Sequence, residues 1–388
     1  MTTALRFPAG IDSERFLRDY WQRQPLLLPD ALPPPTLDPE ELAGLACEPE
    51  VESRLILGNE THGWRLRHGP FDEADFAALP ARDWTLLVQD VDKWLPAFAR
   101  LIDAFRFLPD WRIDDVMVSY APEGGSVGPH IDSYDVFLLQ LAGEREWRIS
   151  DQRLTDPPLR DDSDPRVMRA FAADRQWRLR PGDLLYLPPG VPHWGIGRGD
   201  GCMTGSIGFR APDGDELLAA ASTWLSEHPR PRAPYHDPPL AGQAHPALLN
   251  EDAFLQLRGL LERALSLSDD ELRAAFARRL TEPKPGFEPV PPRPALTRTA
   301  FVERLKQTGR LYRHPAARFL YYPRADGGAT LWVDGEALET SALQWPLLRL
   351  LAGQALLELA ELAPWLEEDD DTRLLHALYR RGIHAFEA

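Results

Sequence analysis

Residues 128–147 read GPHIDSYDVFLLQLAGEREW, and this stretch decides the prediction of the fold. In it an apolar run, VFLLQLA, lies between a His-x-Asp pair and an arginine-containing segment. Similar short apolar runs alternate with turn residues from Trp84 to Phe209, a spacing typical of an antiparallel sandwich or jelly roll. We therefore predict a mainly β domain in the first half of the chain.

Composition limits the kinds of protein that this chain can be. Its 388 residues favour two or three domains, and a hydrophobic fraction of 44% supplies material for a packed core. The two cysteines, Cys47 and Cys202, lie far apart, which excludes a disulfide framework and a thiolate metal site and favours a reducing compartment. The amino terminus lacks a signal-peptide pattern, and no run of 18 apolar residues occurs, so we expect a cytoplasmic protein without a membrane partner.

The formal charge of −17 bears on the partners of the protein. Nucleic-acid binding depends mainly on basic contacts to phosphates, so this charge argues against general affinity for nucleic acids. It favours a cationic partner instead, although acidic surfaces also serve simply to keep proteins dispersed.

The pattern changes along the chain. A helix is predicted at residues 13–24, before the strand-rich region. Three helical patterns follow between Asp215 and Leu280, and Ser268 and Glu271 form a capping-box pattern at the start of the last one. Residues 281–294 contain six prolines and predict a linker or a strap on the surface. A small mixed α/β domain is expected beyond it.

His130, Asp132 and His193 are the candidate metal ligands. Side chains two residues apart on a strand project to the same side, so His130 and Asp132 would face one way. His193 follows 61 residues after Asp132, at the end of the predicted strand DLLYL and its proline turn. Two imidazoles and one carboxylate leave open positions on a metal, as in non-haem Fe(II) oxygen chemistry. In the alternative, His130 and Asp132 only hydrogen-bond within a strand and His193 is a rim histidine.

Arg145 is the candidate anion-binding residue. It shares a strand face with Trp147 and Ile149, which should point into the core and carry the arginine inward. A buried guanidinium requires an anion, and its planar fork suits a carboxylate. That anion is either a dicarboxylate cosubstrate that also chelates the metal or a structural Asp or Glu.

Three segments resemble the signature of the JmjC-type 2-oxoglutarate oxygenases: GGSVGPHIDSYDVFLLQLAGEREWRIS, RPGDLLYLPPGVPHWG and SIGFRAP. Within that class they are most similar to the bacterial ribosomal oxygenases, which hydroxylate an arginine of a large-subunit ribosomal protein. The resemblance implies a double-stranded β-helix (jelly roll/cupin) catalytic domain at residues 1–211. It further implies a helical dimerisation region with a Pro-rich linker at residues 212–294, a winged-helix-like domain at residues 295–388, and a homodimer.

The resemblance also implies roles for individual residues. His130, Asp132 and His193 would hold Fe(II), Arg145 would bind the distal carboxylate of 2-oxoglutarate, and the hydroxyl of Ser206 would assist that carboxylate. Dioxygen would be consumed, and the acidic charge suits a basic ribosomal protein as substrate. Some relatives contribute a tyrosine from an earlier strand. Its counterpart here falls near residues 118–119, so no residue is assigned to that role.

Other functions remain open at this point. A non-catalytic metal-binding cupin adaptor could use the terminal domain to bind a partner, but residues 295–388 carry 11 Lys and Arg against 13 Asp and Glu, so direct DNA binding is not expected. A cupin-type isomerase or dioxygenase would need no 2-oxoglutarate and therefore no Arg145. A JmjC-type demethylase would begin with the same hydrogen abstraction as a hydroxylase. The apolar faces of the helices between Asp215 and Leu280 predict either a dimer interface or packing within one chain.

Overall fold

The structure is a computed structural model that describes residues 4–231, 234–238, 245 and 247–387. Its N-terminal domain is built on one antiparallel sheet of nine strands, as the spacing of apolar runs predicted. The strands are β1 (Leu26–Leu28), β2 (Ser53–Asn59), β3 (Gly63–His68), β4 (Trp84–Val88), β5 (Ile113–Ala121), β6 (Asp135–Ile149), β7 (Arg175–Leu179), β8 (Leu184–Leu187) and β9 (His193–Phe209). They pair in the order β1-β8-β6-β9-β5-β4-β2-β3, and β7 pairs with β6. The fold is an antiparallel jelly roll, as predicted.

Short helices cover one side of this sheet. They are α1 (Ser13–Asp19), α2 (Pro39–Leu45), α3 (Glu73–Ala77), α4 (Val91–Trp94) and α5 (Pro96–Leu101), followed by 3-10 turns at Ile102–Phe105 and Asp110–Arg112. The prediction of a helix to residue 24 was too long, because α1 ends at Asp19. The backbone amide of Gln22 donates to the hydroxyl of Tyr186 at 2.7 Å, and Gln22 itself has a φ of 56°. A tertiary contact therefore ends the helix before its apolar pattern does.

Strand β6 is one 15-residue strand, where the sequence pattern gave two apolar runs. Its register against β9 shifts around Gln140 and Ala142, next to Gly143, which has a φ of 60°. A Cβ on Gly143 would lie 2.9 Å from the Cα of Cys202, so the bend requires glycine there. The first half of β6 pairs with β8 and the second half pairs with β7. A single long strand therefore contacts both of these shorter strands.

Alternate side chains of β6 enter two apolar clusters. Phe137, Leu139 and Leu141 join the larger cluster under the helices, and Leu138 and Ile149 join the smaller one against β8. This two-sided burial explains why the strand reads as a nearly continuous apolar run and not as an alternating one.

Three helices follow the sheet, as predicted: α6 (Gly214–Glu227), α7 (Glu251–Leu265) and α8 (Asp269–Thr281). The capping box of Ser268 and Glu271 is confirmed at the start of α8. In residues 282–297, which we call the strap, the structure has no helix or strand, in agreement with the six prolines. No helix in the described ranges is long and apolar enough to span a membrane.

The C-terminal domain is a small mixed α/β domain, as predicted, with its own apolar core. Its elements are α9 (Arg298–Thr308), β10 (Arg310–Arg313), β11 (Phe319–Pro323), β12 (Ala329–Val333), β13 (Glu336–Thr340), α10 (Trp345–Gly353), β14 (Leu356–Glu358), α11 (Leu359–Leu362), α12 (Asp369–Arg380) and β15 (His384–Ala385). Two antiparallel sheets of three strands, β14-β10-β15 and β11-β12-β13, form its framework.

Buried ion pairs join the two domains. Arg313 of the C-terminal domain lies 2.6 Å from Asp110 of the N-terminal domain, and the same carboxylate accepts a hydrogen bond from the amide of Phe319 at 2.7 Å. Arg318 reaches Asp114 at 3.0 Å. Because Asp114 lies near the start of β5, the C-terminal domain is tied directly to a central strand of the sheet.

Candidate metal centre

The three predicted ligands lie together in the structure. One donor atom from each of His130, Asp132 and His193 can be chosen so that all lie within 4.8 Å of one another. The Nε2 atom of His193 is 3.5 Å from one carboxylate oxygen of Asp132, and the Nε2 atom of His130 is 3.9 Å from the other. The sequence alternative, in which His193 stays apart from the pair, does not describe this structure.

Backbone pairing outside the regular strands brings the ligands together. His130 and His193 exchange two backbone hydrogen bonds, of 3.0 and 2.9 Å, as an isolated bridge. Asp132 lies before β6, and its carbonyl accepts from the amide of Gly190 at 2.8 Å. The expectation that His130 and Asp132 lie on a regular strand was therefore wrong, because an extended segment is held here by a single bridge and not by a ladder.

Hydrogen bonds at Nδ1 fix the orientation of both imidazoles. The Nδ1 atom of His130 is 2.9 Å from the carbonyl of Gly128, and that of His193 is 2.9 Å from the carbonyl of Val191. A carbonyl only accepts, so each Nδ1 carries the proton and each Nε2 keeps its lone pair for a metal. Burial, and secondarily the neighbouring His130, lowers the pKa of His193 to about 4, which favours its neutral, ligating form.

This donor set fits a divalent iron-type metal. Two neutral imidazole nitrogens and one carboxylate oxygen form the two-histidine, one-carboxylate set that leaves other coordination positions for substrates. A structural zinc site would be closed by four protein ligands, and the described residues offer three here. The residues present therefore suit a catalytic metal.

Arg145 lies in the same cavity, with 4% of its surface exposed. Trp147 and Ile149 are buried with it, as the shared face of β6 predicted. Among the described residues, no carboxylate forms an ion pair with Arg145, and its Nε atom is buried without a hydrogen-bond partner. Burial lowers the pKa of Arg145. The structural Asp or Glu considered as its anion is thus not found in the described part of the chain, and the guanidinium retains donors for an added one.

Two hydroxyls that the sequence reasoning did not assign hold Arg145. Its Nη1 donates to the hydroxyl of Ser119 at 2.9 Å and to that of Thr204 at 3.3 Å. The sequence alone left both residues 118 and 119 as counterparts of the tyrosine that some relatives contribute. Alternation along β5 was the available signal, because Val118 enters the apolar core while Ser119 lines the cavity.

Ser206 also lines this cavity, two residues after Thr204 on β9. No hydrogen bond joins Ser206 to Arg145 among the residues that the structure describes, so its role in binding a carboxylate stays a prediction. The cavity has a volume of about 470 Å³ and contains all three ligands together with Arg145. A metal and a small dicarboxylate would therefore share one space.

A second cavity of about 330 Å³ adjoins the first, and we call it the side pocket. Five residues line both cavities: Arg54, Met117, Tyr134, Val136 and Ser206. Asp114 and Asp115 of β5 line the side pocket alone. The side pocket therefore places two carboxylates beside the cavity of the candidate metal centre.

Comparison with known proteins agrees with the fold. The model of the JmjC domain matches residues 100–217, that of the ROXA-like winged helix matches residues 259–385, and that of the AraC-like ligand binding domain matches residues 167–281. The ribosomal protein uL16 3-hydroxylase of Escherichia coli (strain K12) is 34% identical over 381 residues, which cover 96% of this chain and 97% of that protein. A probable ribosomal oxygenase of Haemophilus influenzae is 37% identical over 220 residues, about half of each chain.

Solved structures show the same fold similarity. The ribosomal oxygenase YcfD from Escherichia coli, in complex with cobalt and 2-oxoglutarate, has a TM-score of 0.81 and 32% identity to this protein, over 99% of this chain and all of that one. The antiparallel sheet and its three converging ligands define a JmjC-type oxygenase. The chain belongs, within that class, to the family of ribosomal oxygenases.

Proposed function

We propose that the protein is an Fe(II)- and 2-oxoglutarate-dependent hydroxylase that modifies an arginine side chain of a large-subunit ribosomal protein. One observation carries the proposal: a three-ligand metal site and a buried arginine with an unengaged donor share one cavity. The E. coli relative is named for the ribosomal protein uL16, which makes uL16 the first candidate substrate.

The residues of the chain prepare this reaction. His130, Asp132 and His193 would hold the metal from one side. When bound, iron supplies the oxygen chemistry that couples oxidation of 2-oxoglutarate to succinate and carbon dioxide with hydroxylation of a carbon atom. Arg145 would bind the distal carboxylate of the cosubstrate through donors that Ser119 and Thr204 leave free, and Ser206 stands close by. The protein thereby orients the cosubstrate and excludes water from it.

The acidic lining of the side pocket supports the proposal that the substrate side chain is cationic. Asp115 is 3% exposed, and its Oδ2 accepts from the Nε2 of Gln89 at 2.6 Å and the amide of Asp90 at 3.1 Å. Its Oδ1 accepts no hydrogen bond among those of the described residues and lies 3.3 Å from where a Cβ on Gly208 would stand. Glu216, also in this pocket, is paired with Arg210 at 2.9 Å. Asp115 is thus the carboxylate with capacity for a guanidinium.

Mass spectrometry tests the function. Purified protein is incubated with Fe(II), 2-oxoglutarate and uL16, and the hydroxylated arginine should gain about 16 Da, the mass of one oxygen atom. A methylated substrate that instead loses a methyl group would favour the JmjC-type demethylase. Membership in an oxygenase family already favours catalysis over the adaptor. Product formation without 2-oxoglutarate would favour a cupin-type isomerase or a dioxygenase that does not use this cosubstrate.

We also propose that the protein is a homodimer through the helical region. Phe254, Leu257, Leu261 and Leu265 repeat at helical spacing on α7, and each is at least 43% exposed. Such a row of apolar side chains is typical of a surface that a second subunit covers. Light scattering should give twice the chain mass of 43.8 kDa, and Leu257→Asp with Leu261→Asp should give the monomer mass. A monomer in the unmodified protein would contradict the proposal.

A further inference from the structure

Lys284 of the strap stands beside the acidic edge of the side pocket. The chain has only three lysines, Lys93, Lys284 and Lys306. The Nζ atom of Lys284 donates to Asp90 at 2.9 Å and lies 3.4 Å from Asp114 and 3.8 Å from Asp115. A compact ammonium can face three carboxylates in this way, where a planar guanidinium pairs in one direction.

The charge of Asp115 depends on this neighbourhood. Burial raises the pKa of Asp115 to about 7, Asp90 and Asp114 add to the rise, and Lys284 opposes it. Burial of Lys284 disfavours its ammonium, but the three carboxylates outweigh this effect and raise its pKa, so Lys284 stays charged. Near neutral pH, a small change beside Asp115 therefore changes the fraction that is ionised.

We propose that Lys284 is a positioning residue for the substrate: it keeps the carboxylate of Asp115 charged at the side pocket, and so sets the affinity for a cationic side chain. The inference rests on the proposed function. Through Lys284, the strap would contribute to substrate specificity. The strap nevertheless lies outside the jelly roll and contributes no residue to the wall of either cavity.

Charged and titratable groups reach this site from every surrounding element. Those from the N-terminal domain and the helical region are Arg54 on β2, Asp90 before α4, Asp92 and Lys93 on α4, Asp114 on β5, Tyr134 before β6, Arg210 after β9 and Glu216 on α6. Arg318 of the C-terminal domain binds Asp114 at 3.0 Å. Of the cations in the described part of the chain, Lys284 is the one that lies within 4 Å of the Asp115 carboxylate.

The direct test is a carbon-13 NMR titration of the Asp115 carboxyl in the full-length protein. Lys284→Met should raise the titration midpoint by about one pH unit, as expected for loss of a nearby opposite charge. Lys284→Arg should restore most of the wild-type midpoint. Lys306→Met removes an exposed lysine from α9 and is the matched control, with no change expected. Lys284→Gln provides a second neutral variant should Lys284→Met not fold. An unchanged midpoint in a folded neutral variant would overturn the inference.

The kinetic test uses uL16, the ribosomal protein of the mass assay, over pH 6 to 9. If the titration midpoint of Asp115 rises by about one pH unit in Lys284→Met, the KM for uL16 at pH 7 should rise about fivefold. The difference in KM between this variant and the wild type should shrink as pH rises. The KM for 2-oxoglutarate should stay constant. If the wild type does not hydroxylate arginine, the proposed function fails, but the NMR midpoints still decide whether Lys284 controls Asp115. A shifted midpoint with no change in substrate KM would also contradict the inference.

Discussion

At the scale of single residues, the site combines two imidazoles and one carboxylate with one buried cation. Each imidazole donates Nδ1 to a carbonyl, and Arg145 is held by two hydroxyls that leave its charge uncompensated. A charge buried without an anion destabilises the free protein, and a bound dicarboxylate would relieve that cost. The same residue would therefore link cosubstrate binding to stability.

Removal of one metal ligand should abolish turnover. His130→Ala or Asp132→Ala leaves two ligands, so we expect iron binding measured by calorimetry and succinate formation each to fall at least about 100-fold. His62→Ala, an exposed histidine outside the cavity, is the control and should match the wild type. Near-normal succinate formation in a ligand variant would refute the metal assignment.

Loss of Arg145 should weaken cosubstrate binding. A hydrogen bond to a charged group is worth about 1.5–3 kcal/mol, so Arg145→Met should raise the KM for 2-oxoglutarate roughly 10- to 150-fold. Arg148→Met changes the same strand outside the cavity and should leave this KM unaltered. Equal KM values for wild type and Arg145→Met would favour a reaction without 2-oxoglutarate.

At the scale of elements, one short strand carries a titratable group that the reaction does not use. His384 on β15 is fully buried, and neither ring nitrogen has a hydrogen-bond partner among the described residues. Burial, with Arg313 adding to it, lowers its pKa from 6.5 to about 3. The unfolded chain binds the proton more tightly, so the stability that neutral His384 provides is present above pH 6.5 and is lost progressively towards pH 3.

Acidification should therefore destabilise the protein through His384 before most carboxylates titrate. Between pH 6.5 and pH 5 its contribution to the free energy of unfolding should fall by about 1 to 2 kcal/mol. His384→Phe removes the proton site and should flatten this part of the curve, as measured by urea unfolding at the two pH values. An identical slope in wild type and variant would show that His384 accepts a proton in the folded state.

At the scale of the whole molecule, buried charges hold the two domains together. Asp110 accepts from Arg313 and from the amide of Phe319, and it also contacts Arg106. Burial raises the pKa of Asp110, but Arg313 and Arg106 outweigh it and lower the pKa overall. This stabilisation is present above the ordinary carboxyl pKa and is lost as pH falls through the lowered one.

Asp110→Ala should uncouple the domains. Removing one partner of a buried ion pair costs about 3–5 kcal/mol, so we expect a lower unfolding free energy and separate transitions for the two domains in calorimetry. Asp369→Ala breaks exposed pairs with Arg298 and Arg373 and should cost no more than about 1 kcal/mol. A single transition of normal stability in Asp110→Ala would show that contacts other than those of Asp110, such as the Arg318–Asp114 pair, suffice to join the domains.

The sequence by itself determined the local features: the antiparallel β region, the helices with their capping box, the proline strap and the candidate ligands. Each follows from the residue types within a short window, where alternation, turn residues and caps act. It could not determine the end of α1 or the continuity of β6, because a contact with Tyr186 and the pairing with β9, both distant in the chain, decide them. Nor could it select Ser119 and Thr204, or place Lys284 beside Asp115. Those contacts depend on the register between strands and on domain packing, which only the tertiary structure decides.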